Sequence, residues 1–468
     1  MGNKWPVVTL SEYITIKHGY AFKGEYFHSS ETENILVTPG NFCIGGGFKI
    51  ERLKYYLGPI QKEYLLKEGN LIVTMTDLSK DADTLGYPAL IPSLQGKKFL
   101  HNQRIGLIEF KNNHIYKDFL FYLLCGAEYR NHVLSGITGT TVKHTSPSKI
   151  LSFTFNKPPF EVQRLIASYL ACLDKKITIN KNINKIFEKI SQSIFKSWFV
   201  DFDPVIDNAL DEGNPIPEAL QSRAELRQKV RKSVDFKPLP ADIRALFPAE
   251  FEETELGCVP KGWKISTAGD ELVVKGGSTP STSNADFWEN GTIHWTSPKD
   301  LAGNDSKVLL DTSKKITELG LIKISSGLLP TDTVLMSSRA PIGYLALAKT
   351  PMAINQGYIA IPSSKNLSPE YIIYWLENIM DDIKGMAGGT TFAEISKSAF
   401  KTINLVIPSK NIIAEFTRLA HQHFEKVVSN TRQITALTNL RDTLLPKLIS
   451  GELSLEDLPD IIKQTEAA

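Results

Sequence analysis

The chain has 468 residues, too many for one ordinary core, which points to two domains or more. Hydrophobic residues make up 42% and charged residues 22%, a globular composition that excludes a disordered or fibrous chain. No apolar run approaches the length of a bilayer span, the start "MGNKWPVVTL" lacks a secretory pattern, and a net charge of +2 leaves partners open.

The expected location is therefore the cytoplasm, with no membrane partner. Residues 1–155 carry short apolar runs ("NLIVTMT", "RIGLIEF", "LSFTFN") separated by Gly, Pro and Asn, which read as strands, with a helix at 118–125. Near Pro159 the period changes. Ile166, Leu170, Leu173, Ile177, Ile183, Ile186, Ile190 and Ile194 recur mostly three or four apart, predicting a long amphipathic helix over 156–200.

Residues 201–260 read as a structured linker, opening near "DFDPV" and ending Pro-rich. Its charged run "PEALQSRAELRQKVRKS" holds Arg223, Arg227, Lys229, Arg231 and Lys232, either a solvated face or a set of DNA contacts. Strand character returns over 261–408. Phe416, Leu419, Val427, Ile434, Leu437, Leu440, Leu444 and Leu448 then predict a second long helix over 409–450, with a tail at 451–468. At roughly 35–40 residues, each helix is about 55–60 Å long.

The two strand-rich regions are copies of one plan. Gly139-Thr140-Thr141 falls on Gly389-Thr390-Thr391 (389 − 139 = 250), and the same offset aligns Ser146 with Ser396, Pro158 with Pro408 and Asn180 with Asn430. With small slips, "HNQRIGLI" pairs with "INQGYIAI", "LGYPALI" with "IGYLALA", and Trp5 with Trp263. Residues 21–56 and 276–323 do not match, as expected of two readers on one frame. The expected fold is α+β: two tandem mixed α/β domains, each followed by a long helix, the helices pairing as an antiparallel coiled coil about a pseudo-twofold. Asn180 and Asn430 interrupt both seams at the same place and are expected either to lie on the surface or to meet and fix the register.

Chemistry is hard to find. Cys43, Cys125, Cys172 and Cys258 are scattered without CxxC spacing, which predicts reduced, packed thiols. "NKPPF" at 156–160 resembles an Asn-Pro-Pro-aromatic base-holding loop, but Lys157 interrupts it and the second copy reads "VIPSK". Its prolines are expected to stop a strand and start a helix. There is no GxGxxG after a strand and no GxxxxGK[ST]. His421 and His423 point to different helix faces, so no metal is expected. The pattern is that of a binding protein rather than an enzyme.

Several longer stretches carry a resemblance: "SSRAPIGYLALA" with "INQGY", "GTT" with "SKSAFKTINLVIP", "FKSWFVDFDPV", "FPAEFEETELGCVPKGW" and "PPFEVQRLIASYL". In these the whole chain resembles the DNA-specificity subunits of type I restriction-modification systems. The resemblance implies two target-recognition domains, each reading half of a bipartite, asymmetric double-stranded DNA site. It also implies a helix pair that spaces them and docks two methyltransferase subunits, in a complex with restriction and translocation subunits. S-adenosylmethionine, ATP and magnesium would belong to those partners, with no cofactor or metal in this chain.

Side chains able to pair with purine edges or phosphates are then the candidate DNA contacts. In the first half these are Asn102, Gln103, Arg104, Lys143 and His144, with Lys97 and Lys98 on phosphate. In the second they are Lys299, Arg339, Asn355, Gln356 and Thr391. Because Asn-Gln recurs in both copies, those four residues have a second expected role in holding loops. Lys175, Lys181, Lys185, Lys189, Arg432 and Arg441 on the helices stay open between solvent, phosphate and a docking rim. Two alternatives remain: a self-contained DNA methyltransferase or nuclease with atypical motifs, and a non-DNA helical assembly scaffold.

Overall fold

The computed structural model describes residues 5–139, 141–304, 306–388 and 393–453. Packing divides the chain into two compact units, Met1–Ile177 with Thr435–Ala468, and Thr178–Ile434. The division falls inside both long helices, so each unit owns part of each helix.

In the first unit, strands Ile14–His18, Ile105–Phe110, Leu71–Thr74 and Pro88–Leu90 pair in that order as an antiparallel sheet. A second sheet holds Asn34–Val37, with Lys98–His101 parallel beside it. Leu71–Thr74 and Asn34–Val37 are buried on both faces, which is why "LIVT" and "NILV" read as runs rather than alternations. Helix Lys117–Cys125 covers the core with Phe119, Leu120, Leu123 and Leu124. Two helices at Ala127–Leu134 and Pro147–Leu151 follow that periodicity did not reveal, both being too short to show a stripe.

The second unit repeats this wiring. Strands Leu272–Lys275, Tyr358–Ser364, Thr333–Ser337 and Leu345–Ala348 pair in the same order, and Met352–Ile354 lies parallel to Ile293–Thr296. In each copy the opening strand of the repeat pairs with the last strand before the helix: Val7–Thr9 with Thr154–Asn156, and Lys264–Thr267 with Asn404–Ile407. The duplication is thus one of hydrogen-bond topology as well as of residues.

The long helices span Phe160–Phe195 and Lys410–Ser450. At the start of the first, Gln163 is fully buried; it donates to Pro158 O at 2.9 Å and accepts from Tyr116 N at 2.8 Å. The prolines of "NKPPF" therefore end a strand and lead into a helix that Gln163 ties to the domain. The first helix closes in a π turn at Lys196–Val200, where Phe195, Trp198 and Phe199 pack with Tyr371 and Phe416. Phe202 follows with a φ of 53°, which turns the chain sharply into the linker.

The helices run antiparallel. Within the second unit, Asn180, Asn184 and Ser191 meet Gln433, Asn430 and His423 in descending order, at 2.6, 2.9 and 2.8 Å. Asn180 and Asn430, expected either to lie on the surface or to meet, are both bonded across the seam but to other residues, and Asn180 is buried. Antiparallel register places each opposite a residue about one turn from its counterpart, so Asn180 donates to Gln433 and Asn430 donates to Asn184. The seam also departs from the apolar pattern. Ile186 and Ile190 are 57% and 40% exposed, whereas Asn180, Asn184 and Ser191 are buried. Their neighbours Phe187 and Ile194 face the core instead. Cys172, expected to be packed, is exposed, and none of the four cysteines forms a disulfide among the described residues.

Candidate nucleic-acid interface

Each unit builds one crossing of three backbone segments. In the first, the turn 102–104 follows strand Lys98–His101, and Asn102 Oδ1 accepts from Arg104 N at 2.9 Å. On one side Tyr20 N donates to His101 O (2.8 Å) and Gln103 N to Tyr20 O (2.9 Å). That approach is possible only because residue 19 is glycine: a Cβ there would lie 2.3 Å from the carbonyl oxygens of His101 and Asn102. On the other side Met75 N donates to Arg104 O (3.0 Å), and Thr145 N to Met75 O (3.1 Å). Thr138 and His144 exchange backbone bonds in a hairpin, and Lys143–His144 pairs with Thr76–Asp77.

Buried groups hold this crossing rigid. His101 is 1% exposed and its Nε2 lies 2.9 Å from Ile105 O; burial pushes its pKa down to about 4, against the opposing effect of that carbonyl. Asp77 accepts from Ser79 N, Thr84 N and Thr84 Oγ1, each at 2.6 Å. Burial alone would raise its carboxyl, but the Thr84 and Ser79 bonds prevail and hold it below the usual range.

The second unit repeats the frame of this crossing, except that Ser278 O, the counterpart of Tyr20 O, accepts from Trp295 Nε1 at 3.2 Å. Asn355 Oδ1 accepts from Gly357 N (2.8 Å), Ser278 N donates to Ile354 O (3.1 Å), Ser338 N to Gly357 O (2.8 Å) and Ile395 N to Ser338 O (3.1 Å). Gly277 takes the place of Gly19, its Cβ position lying 1.8 Å from Ile354 O. Gly388 and Glu394 exchange backbone bonds as Thr138 and His144 do. The residues that flank the Gly-Thr-Thr repeat, Thr138 and His144 in the first unit and Gly388 and Glu394 in the second, thus border the crossing in both.

The frame brings Asn102, Gln103, Arg104, Lys143 and His144 together, and likewise Arg339, Asn355 and Gln356. Their side chains, however, divide by occupation. Asn102 and Asn355 are spent on turn bonds. Gln356 Oε1 accepts from Thr279 Oγ1 at 2.7 Å. His144 Nδ1 lies 3.2 Å from Thr76 Oγ1, and Arg339 is 3.7 Å from Glu394. Lys97, expected on phosphate, instead donates to Thr32 O (2.8 Å) and pairs with Glu31 (2.7 Å), away from the turn. Lys98 pairs with Glu33 at 3.1 Å. Gln103, Arg104 and Lys299 are exposed, and among the described residues their side chains have no hydrogen-bond or ion-pair partner. Thr391 lies outside the described residues.

Sequence reasoning missed Gly19, Gly277, Thr76 and Glu394. The signal was present for two pairs: Gly19 and Gly277 align at the offset of the two tryptophans, and Glu394 falls on His144 at the offset of the Gly-Thr-Thr repeat.

A family model described as type I restriction modification DNA specificity domain matches the chain twice, over residues 3–189 and 260–437. The chain belongs to the type I restriction modification DNA specificity family. Among relatives, the type I restriction enzyme HindI specificity subunit of Haemophilus influenzae is 30% identical over 369 residues, covering 74% of this chain and 80% of the relative. The MjaIX specificity subunit of Methanocaldococcus jannaschii is 33% identical over 193 residues, 41% of this chain and 44% of that one. The crystal structure of an S subunit from M. genitalium matches with a TM-score of 0.51 at 16% identity, covering 95% of this chain and 96% of that chain, a likeness of fold.

Between the two specificity-domain matches lies most of the linker, and its arginines are not free for DNA. Helices Asp203–Glu212 and Gln221–Arg231 run side by side. Arg223 grips Asp203 with two bonds of 2.7 Å, Arg227 pairs with Asp207, and Arg231 with Asp211. Three acids and three arginines, each four residues apart, form a ladder that a solvated or DNA-binding face would leave open. Lys229 and Lys232 remain exposed.

Proposed function

We propose that this specificity-family chain recognises a bipartite, asymmetric DNA sequence as a non-catalytic subunit, each unit reading one half. The carrying observation is the duplicated crossing: one backbone frame, repeated in most of its hydrogen bonds, with different side chains at its exposed positions. Identical frames supply the same docking geometry, and exchanged side chains supply different base preference. The long helices fix the separation of the readers, as dimer geometry sets half-site spacing elsewhere.

The same helices are proposed to dock two methyltransferase subunits within a complex that also holds restriction subunits. Ile179, Ile186 and Ile190, all exposed on the first helix of the second unit, form an apolar strip suited to partner helices. S-adenosylmethionine, ATP and magnesium are assigned to those partners, and the complex to the cytoplasm. Among the described residues no helix is long and apolar enough to cross a membrane.

The test is co-expression with the cognate methyltransferase subunit, followed by mapping of methylated bases in genomic DNA. A single two-part motif is expected, and exchange of residues 1–155 for those of a relative alters one part only. Methylation without a bipartite motif, or S-adenosylmethionine turnover by the isolated chain, overturns the reading.

A further inference from the structure

The two crossings differ in where they carry arginine. In the first unit the turn position after Asn-Gln is Arg104, whose carbonyl accepts from Met75 N. In the second unit that position is Gly357, whose carbonyl accepts from Ser338 N in the same way. No side chain is tolerated easily there, since a Cβ on Gly357 would lie 3.0 Å from the Pro298 ring.

The neighbouring segment shows the reverse. One residue beyond Met75 stands Thr76, 4% exposed and 3.2 Å from His144 Nδ1. One residue beyond Ser338 stands Arg339, 36% exposed, bridged to Glu394 by backbone and by a 3.7 Å ion pair. His144 and Glu394 are themselves equivalent, each bonded to the residue six before it in the hairpin. One unit therefore presents arginine from the turn and the other from the adjacent segment, never both.

We propose that Arg104 and Arg339 are the specificity-determining arginines of their units, each reading a guanine edge in its own half of the site. An exposed guanidinium on a rigid backbone crossing is the side chain best suited to a two-bond contact with guanine O6 and N7. Rigidity matters because the fork must arrive pre-oriented. Among the described residues the Arg104 side chain has no partner, and Arg339 is held in place by Glu394 at 3.7 Å. Because the guanidinium leaves different segments, the two units address different positions relative to the same frame. This gives an asymmetric motif without any change of fold. The inference rests on the bipartite reading above.

The experiment maps methylation in cells carrying this chain with its methyltransferase subunit, comparing wild type, Arg104→Ala and Arg339→Ala. Wild-type methylation at a two-part motif is the condition for the preceding proposal; its failure there is separate from failure here. With that motif in hand, each variant is expected to lose discrimination at one G·C pair. Methylation at sites mismatched there should rise about tenfold to a hundredfold relative to matched sites. Arg104→Ala should do so only in the half that follows residues 1–155, and Arg339→Ala only in the other. An unchanged motif overturns the proposal. So does a uniform drop with the consensus intact, which is the behaviour of a phosphate contact. Purified variants with wild-type thermal unfolding and complex formation distinguish either outcome from misfolding.

Discussion

Within the first unit, Arg441 on the second long helix donates to Asp174 on the first at 2.7 Å, and the phenol of Tyr122 takes the other carboxylate oxygen at 2.8 Å. One carboxylate therefore joins both long helices to the helix that covers the sheet. Arg441 is held above its ordinary pKa: burial opposes its charge, but its bonds to Asp174 and Asp442 prevail. Asp174→Ala leaves a half-buried guanidinium without its main partner and is expected to cost about 2 kcal/mol. The check is the midpoint of chemical unfolding, with Tyr122→Phe expected to lose about half as much.

His101 sets an acid limit on the first unit. Its folded pKa of about 4 lies below the ordinary 6.5, so the folded protein binds fewer protons than the unfolded chain between those values. Its contribution is complete above about pH 6.5 and is lost as pH falls toward 4, amounting to roughly 3 kcal/mol at about 1.4 kcal/mol per unit. His101→Gln should flatten that part of the stability profile, measured as unfolding midpoint against pH. A wild-type profile level from pH 7 to 4 would contradict the assignment.

The two glycines at the crossings are expected to be intolerant of any side chain. Gly19→Ala and Gly277→Ala each drive a Cβ into a backbone carbonyl, which no rotamer change can relieve. A loss of about 2–4 kcal/mol is expected, typical of strained backbone substitutions. Hydrogen exchange should show increased opening of the turn at 102–104 in the first case and at 355–357 in the second.

Arg223→Ala is expected to loosen the linker. Asp203 has a side chain only 5% exposed and loses its two-bond partner, a change that costs about 3 kcal/mol when a buried pair is broken. Limited proteolysis between the two linker helices, at residues 213–220, reports it. Lys229→Ala, on the exposed side, is expected to change stability by less than about 0.5 kcal/mol.

Ile186→Glu separates folding from assembly. The side chain is 57% exposed, so thermal unfolding should stay within about 0.5 kcal/mol of wild type. Co-purification with the methyltransferase subunit should fall at least about tenfold, since a desolvated, unpaired carboxylate at an apolar contact is costly.

Residue order alone established the duplicated α+β plan and both long helices. These depend on local periodicity and on self-similarity, which survive in one dimension. Asn102 and Asn355 were legible as possible loop-holders because they recur, and each does cap its own turn two residues on. What required the tertiary structure is pairing across distance. Ile186 and Ile190 fit a helical apolar period as well as Phe187 and Ile194 do, and only packing determines which pair is buried. Asn180 meets Gln433 rather than Asn430 because antiparallel register is set by both helices together. Lys97 and Arg223 look like phosphate ligands until Glu31 and Asp203, 66 and 20 positions away, are seen to hold them. A charged side chain carries no mark of its partner in the sequence. Coulomb attraction acts through space, and the fold decides which charges share it.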